Sequence, residues 1–317
     1  KRHPTRMELD EVSTEIPIFI MHQSGHLGVY NSLALKKAGI DKSTKNPPGG
    51  TIYREKDGSL SGVMAENAHF MTLFKLIPKY NNDQLEEILT NAEKVYLKNG
   101  VTTIQDGRTD PSGLESLIYT ANNKGFKVDI VAYADLEMNL KNKRLQSSLM
   151  SNKNSQKYTN RLRIGGVKLS LDGSPQGKTA WFTKPYLVPP QNEKKGYRGF
   201  PIFKNNKKLQ NLVNIAQSNQ WKLLVHANGD AAIDQLIEVV DTANRNKDKS
   251  PMDAVLIHGQ FIRNDQIQKI KELNIFPSVY PMHTFYWGDW HRNSVAGEER
   301  ASFISPTRAI KKSGMFF

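Results

Sequence analysis

From residue 82 onward, apolar positions alternate between helical and strand spacing with little interruption. Asp83-Gln84-Leu85-Glu86 reads as a helix start, with a carboxylate at the N-cap and Glu86 three residues on. That helix carries Leu85, Ile88, Leu89, Ala92, Val95 and Tyr96 at helical spacing and stops at Gly100. A strand is predicted over 101–104. Further helices are predicted over 112–123, 140–150, 208–218, 231–244, 265–273 and 306–312. Between them fall strands over 128–133, 164–169, 222–225, 254–257 and 275–279, with a last one starting at Met315. Seven strands alternating with amphipathic helices imply a parallel sheet with crossover helices, an α/β protein. The count suggests an eight-stranded (β/α)8 TIM-like barrel without its first strand. A doubly wound sheet fits less well, because no Gly-rich turn of dinucleotide-binding spacing follows the early strands.

Residues 1–81 have another texture. A strand-like run covers 16–21, and Asn31-Ser32 caps a short helix through Lys37 that stops at Gly39. Pro47-Pro48-Gly49-Gly50 makes a turn, and the Asp57-Gly58 turn after Thr51-Ile52-Tyr53-Arg54 favours a β-hairpin. We therefore divide the chain into an inserted, covering subdomain over 1–81 and an incomplete barrel over 82–317.

Composition narrows the class. The 317 residues are 38% hydrophobic and 24% charged, which suits a globular protein with a substantial core. No apolar run approaches the ~18 residues that a membrane span requires. With no cysteine, a disulfide scaffold, a thiolate metal site and a cysteine nucleophile are excluded. A cytoplasmic location is expected. The chain opens on Lys1 and closes on a helix stop followed by a strand start, so it reads as a piece of a longer protein. Its 44 Lys+Arg against 31 Asp+Glu leave a formal charge of +13. Basic clusters at Lys141-Asn142-Lys143-Arg144, Lys194-Lys195 and 204–208 are dispersed on predicted loops and helix surfaces. They read as solvated surface, with a nucleic-acid face as the rival hypothesis.

In a barrel, reactive groups project from the C-terminal strand ends. Lys168 lies inside the apolar run Ile164-Gly165-Gly166-Val167-Lys168-Leu169. His226 ends one strand, His258 ends the next, and Asp106 follows the strand at 101–104. Imidazole is the commonest zinc ligand, so two histidines on successive strand ends suggest a shared metal. A buried lysine needs a partner, and Asp172 is one candidate. The functional alternatives are a catalytic amine or a lysine carrying CO2 as a carbamate.

These residues sit in stretches that resemble one family. They are Ser24-Gly25-His26, Asn31-Ser32-Leu33-Ala34-Leu35, Pro47-Pro48-Gly49-Gly50 and Ser61-Gly62-Val63-Met64-Ala65-Glu66. They continue with Gly165-Gly166-Val167-Lys168-Leu169, Asp172-Gly173-Ser174-Pro175-Gln176-Gly177-Lys178-Thr179-Ala180 and Val225-His226-Ala227-Asn228-Gly229-Asp230. Ile257-His258-Gly259-Gln260 and the run from His283 to His291 complete the series. Jointly, and in this order, they resemble the amidohydrolase superfamily in its amidohydrolase-3 branch. That branch includes N-substituted formamide deformylases and exoenzyme regulatory proteins.

The resemblance implies a deformed (β/α)8 barrel holding one or two divalent metals, usually zinc. It implies Lys168 as a bridging carbamate and His226 and His258 as ligands. It also implies a metal-activated water that attacks the carbonyl of a small-molecule amide. This chain departs from the pattern in three ways. It has no His-x-His pair, since His22 and His26 are four apart. The aspartate expected to move the proton would lie beyond Phe317, and the terminal β-sandwich is missing. The piece alone is thus expected to be inactive, its catalytic residue unknown, with a non-catalytic regulatory relative as the alternative. His26, Glu66, Asp172, Gln176, Asn228 and Asp230 are expected at the pocket wall or behind the ligands. His283 and His291 bracket Phe285-Tyr286-Trp287 and Trp290, expected to line an apolar substrate pocket. An exposed sheet edge makes homodimerisation a further expectation.

Overall fold

A computed structural model describes residues 3–141, 157–190 and 193–317. The N-terminal part of the chain builds an antiparallel sheet in the order β1-β2-β4-β3. Its strands are β1 (Phe19–Met21), β2 (Leu27–Tyr30), β3 (Gly50–Arg54) and β4 (Leu60–Glu66). The hairpin between β3 and β4 turns at Gly58, whose φ of +84° and neighbouring Asp57 side chain suit the tight reversal. Helices α1 (Arg6–Val12), α2 (Ser32–Lys37) and α3 (Asn67–Leu76) pack around this sheet. Asn31 caps α2 as expected, its side chain accepting from Ala34 N at 2.9 Å.

The second sheet has six parallel strands, β5 (Thr103–Thr109), β6 (Asp129–Asp135), β7 (Leu162–Ser170), β8 (Leu223–Ala227), β9 (Ala254–His258) and β10 (Phe276–Val279). Each strand pairs with its sequence neighbour. A doubly wound sheet reverses its strand order at a switch point; this sheet never does, and it forms part of a TIM-like barrel. Its helices are α4 (Asn82–Lys98), α5 (Pro111–Asn123), α6 (Leu136–Leu140), α7 (Asn206–Ser218), α8 (Asp230–Asn244), α9 (Asn264–Glu272), α10 (Met282–Trp290), α11 (Glu298–Ala301) and α12 (Thr307–Lys312).

Strand alternation decides which side chains face the helices. Ile130, Ala132, Ala134, Val167, Leu169, Leu223, Val225, Ala254 and Leu256 join the large core beneath α5, α7, α8 and α9. The intervening Val131, Tyr133, Leu224 and Val255 form a separate cluster on the inner face. Lys168 and His226 share that inner parity.

Several sequence expectations need correction. α4 is capped by Asn81, whose side chain accepts from Gln84 N at 2.9 Å while Gln84 returns the bond at 3.0 Å, so Asp83 and Glu86 are not the box. Ile88, Val95 and Tyr96 of its apolar stripe are exposed, and Glu93 is buried instead. β5 is the sheet edge, so α4 packs on α5 with no strand beneath its far side. The Glu93 carboxylate accepts from Lys127 N and from Val128 N, which accounts for its burial. Met315–Phe317 form no strand. The helix predicted over 140–150, and the basic cluster through Arg144, lie largely outside the described residues; the described part is α6.

Gly166 in β7 tests the sheet's packing. It has φ +153°, and a Cβ there would lie 2.2 Å from Lys222 O of the segment leading into β8. We expect Gly166→Ala to cost about 2–5 kcal/mol, from a near glycine-only conformation and a backbone clash. Gly58→Ala, with φ +84° but open space around it, should cost only ~1–2 kcal/mol. Urea unfolding of the two variants checks the ranking.

Candidate active site

The C-terminal ends of β7, β8 and β9 bring Lys168, His226 and His258 to one side of the sheet. His226 and His258 stand ring to ring at 4.7 Å, edge on. By strand alternation His258 belongs to the helix-facing set. It leaves that set because its φ is +74°, followed by Gly259 at +53°, and its ring comes to lie against His226. From the first sheet, His26 reaches across to lie 5.2 Å from the His226 ring. Its Nδ1 is 2.9 Å from Glu66 Oε2. Four of the sequence-predicted residues thus share this cluster with Lys168.

The loop after β7 supports them. Asp172 is fully buried and accepts backbone N–H bonds from Asn228 (3.0 Å), Gly229 (2.8 Å) and Trp181 (2.9 Å). Gly173 O lies 3.1 Å from His226 Nε2 and accepts from Asn228 Nδ2 at 2.9 Å. A Cβ on Gly173 would sit 2.1 Å from Glu66 Oε1, so only glycine lets the two sheets meet here. Gln176 Nε2 is 3.1 Å from His283 Nδ1, and the His283 ring lies 6.3 Å from His258.

Other predicted residues are placed elsewhere. Asp106 lies within β5 and accepts from Arg108 N at 3.2 Å, engaged with its own strand. Asp230 opens α8, accepts from Thr183 N at 2.9 Å and pairs with Arg263 at 3.2 Å. His291 is fully buried in a π-helical turn and packs edge on against Phe261 in an aromatic cluster. Phe285 and Tyr286 are 82% and 63% exposed. Trp287 turns inward, 5.9 Å from His22. A groove of about 450 Å³ lined by Arg6, Leu35, Ile40 and Leu60 contains none of the clustered residues.

Sequence reasoning missed Arg108 and Asp135. Arg108 Nε donates to Asp135 Oδ2 at 2.9 Å, and its guanidinium stands over the Phe70 ring at 5.6 Å. Asp135 lies beside Lys168 in the strand register. The strand-end rule that found His226 applies equally to Asp135. Ending the second strand at Tyr133 hid it, and ending β5 at Ile104 hid Arg108.

Burial sets the protonation states. It holds His226 well below the usual imidazole range and His258 down at about 3, with neighbouring positive groups adding to the effect. Both rings are therefore neutral at pH 7. Burial also opposes charge on His26, but the Glu66 carboxylate outweighs it and the pKa is raised. Lys168 is pushed down to about 7 by burial and then by Arg108. Asp172 is pushed up to about 7 by burial, despite its three backbone donors.

Neutral imidazoles beside a lysine of low basicity suit a divalent cation by donor chemistry. Among the described residues, however, no group of three or more His, Cys, Asp or Glu side chains is placed to hold one. Two imidazoles and the lysine are the set present.

Parallel strands in sequential order, with two imidazoles and a lysine at their C-terminal ends, form part of a TIM-like barrel. The amidohydrolase family profile matches residues 1–316, and the chain belongs to that family. It is 28% identical over 329 aligned residues to "Protein LONG AFTER FAR-RED 3" of Arabidopsis thaliana, covering 99% of this chain and 52% of that protein. It is 26% identical over 324 residues to the N-substituted formamide deformylase of Arthrobacter pascens, covering 99% of this chain and 57% of the enzyme. An uncharacterized metal-dependent hydrolase from Pyrococcus horikoshii superposes with a TM-score of 0.72 at 23% identity, covering 98% of this chain and 57% of that one. The chain thus spans about half the length of the curated relatives it matches. Among the described residues, no helix is long and apolar enough to cross a membrane.

The two buried groups near pKa 7 predict opposite pH dependences of stability in EDTA. Asp172 keeps its proton longer folded than unfolded, so its contribution falls as pH rises from 3.8 to about 7. Lys168 loses its proton earlier when folded, so its contribution rises with pH from about 7 to 10.5. Each slope is at most ~1.4 kcal/mol per pH unit. Urea midpoints across pH should lose the falling limb in Asp172→Asn and the rising limb in Lys168→Met.

Proposed function

We propose that this chain is the barrel portion of a metal-dependent amidohydrolase that cleaves a C–N bond, in an amide or N-substituted formamide. One observation carries the reading: Lys168, His226 and His258 end three adjacent parallel strands, with both imidazoles neutral. These three would hold the metal, with zinc as the expected ion. When bound, such an ion acts as a Lewis acid toward a carbonyl oxygen and lowers the pKa of a water.

The chain's own residues then divide the remaining work. Lys168, with a pKa of about 7, offers unprotonated amine at neutral pH. That amine adds to CO2, releasing a proton and leaving an anionic carbamate oxygen donor. Asp172 fixes the backbone at Asn228 and Gly229, and with it the strand end that carries His226. His26 gives one N–H to Glu66 and, when protonated, has a second to offer, its ring lying 5.2 Å from that of His226. There it serves as a hydrogen-bond donor to a substrate oxygen. The formamide deformylase relative supports the C–N bond class.

A second reading has its own support: no three carboxylate or imidazole side chains are placed around one ion among the described residues. A relative that kept the fold but not the metal would bind a ligand without hydrolysing it.

Zinc content and amidase activity of the full-length protein separate the two. We expect zinc in stoichiometric amount, and activity reduced at least ~10²-fold with zinc lost in Lys168→Ala and His226→Ala. A folded, metal-free protein that hydrolyses no amide after zinc and bicarbonate are supplied makes the binding reading the correct one.

A further inference from the structure

Each carboxylate around the cluster has a partner. Glu66 is answered by His26, Asp135 by Arg108, and Asp172 by three backbone N–H groups. Lys168 faces Asp135 and Asp172 only at a distance, through their fields, and Arg108 adds a repulsive one. Arg108 is held on two sides, by the Asp135 carboxylate at 2.9 Å and by the Phe70 ring beneath its guanidinium at 5.6 Å. Among the described residues the ion pair engages Nε alone, so the two terminal nitrogens keep their hydrogen-bonding capacity. Asp135 is buried, with 8% of its side chain exposed, whereas Arg108 is 41% exposed.

Position ties that edge to the reacting groups. Asp135 is the strand partner of Lys168, so Arg108 lies two strands from the lysine, with β6 between them, at the same sheet end. Phe70, against which Arg108 stacks, lies 6.4 Å from the His26 ring. Arg108 acts electrostatically on both Lys168 and His26. A guanidinium that only joined two strands would need neither a free fork edge nor this location.

We infer that Arg108 determines substrate specificity by binding a carboxylate, and that the amide cleaved at this site is an anionic one bearing that carboxylate near the scissile bond. The planar fork matches a carboxylate through two parallel N–H bonds, and the pair with Asp135 together with Phe70 fixes its orientation in advance. This inference rests on the amidohydrolase reading for the amide, and on Arg108 alone for the carboxylate.

Calorimetric titration with N-acetylglycine and with its neutral counterpart N-acetylglycinamide tests it. We expect the wild-type protein to bind the acid about tenfold more tightly, with the preference shrinking as salt is raised. Arg108→Lys keeps charge without the fork and should retain part of the preference. Arg108→Gln with Asp135→Asn removes the pair together, so no buried carboxylate is left alone, and should abolish the preference. Affinity for the neutral amide should be unchanged in both, with circular dichroism confirming the fold. Equal binding of the two probes by the wild type, or a preference that survives the double variant, overturns the role of Arg108 and leaves the amide reading standing. Binding of N-acetylglycine and propionate through Arg108, with neither amide hydrolysed by the zinc-loaded protein, upholds the carboxylate site and removes the hydrolase reading. Failure of both amides to bind overturns the inference.

Discussion

The architecture of the site depends on one buried carboxylate. Asp172 collects three backbone N–H groups from two separate segments, Trp181 in its own loop and Asn228 and Gly229 after β8. The three bonds occupy both oxygens of the carboxyl, and buried bonds of this kind are costly to leave unmade. Together they weld the ends of β7 and β8 at the level where Lys168 and His226 emerge. Gly229 completes the weld, because a Cβ there would lie 2.0 Å from Trp181 O. Asp172 thus acts through backbone geometry, and its burial follows from that work.

The second constraint comes from the first sheet. Glu66 ends β4 with φ 52° and ψ −128°, a conformation rare for any residue with a side chain and costing on the order of 1–3 kcal/mol. The neighbouring structure holds it there: the Glu66 carboxylate bonds His26 and lies against Gly173, where any side chain would collide. His26 consequently reaches the barrel face as one half of an oriented pair. A separate sheet therefore supplies polar chemistry that the strand ends do not carry.

How much of this was legible in the chain follows from which signals were local. Strict alternation between helix and strand spacing announced the parallel sheet, because each βα unit buries its own apolar face. Lys168 and His226 were legible for the same reason, being polar residues in apolar runs with inner-face parity. α4 was misread because its spacing is amphipathic while its far side lies beyond the sheet edge, which is tertiary information. Arg108 was lost because β5, an edge strand, carries Gln105, Asp106 and Arg108 where a buried strand would be apolar. The resemblance to a family supplied His26 and Glu66 as candidates, but their pairing across 40 residues is a property of the fold.

His258 shows where pattern reading and geometry part company. Its parity with Ala254 and Leu256 assigns it to the helix-packed core, where a neutral imidazole would have to find a partner or remain unsatisfied. The positive φ at His258 and Gly259 breaks the alternation at the last residue of the strand and swings the ring toward His226. A side chain in this conformation is unfavourable unless its surroundings hold it, and Gly259 supplies the freedom needed to continue the chain. The His-Gly dipeptide at a strand end is therefore the local device that converts a core position into a site position. That conversion brings β9 into the same cluster as β7 and β8, and gives the barrel face two facing imidazoles where alternation alone would leave one.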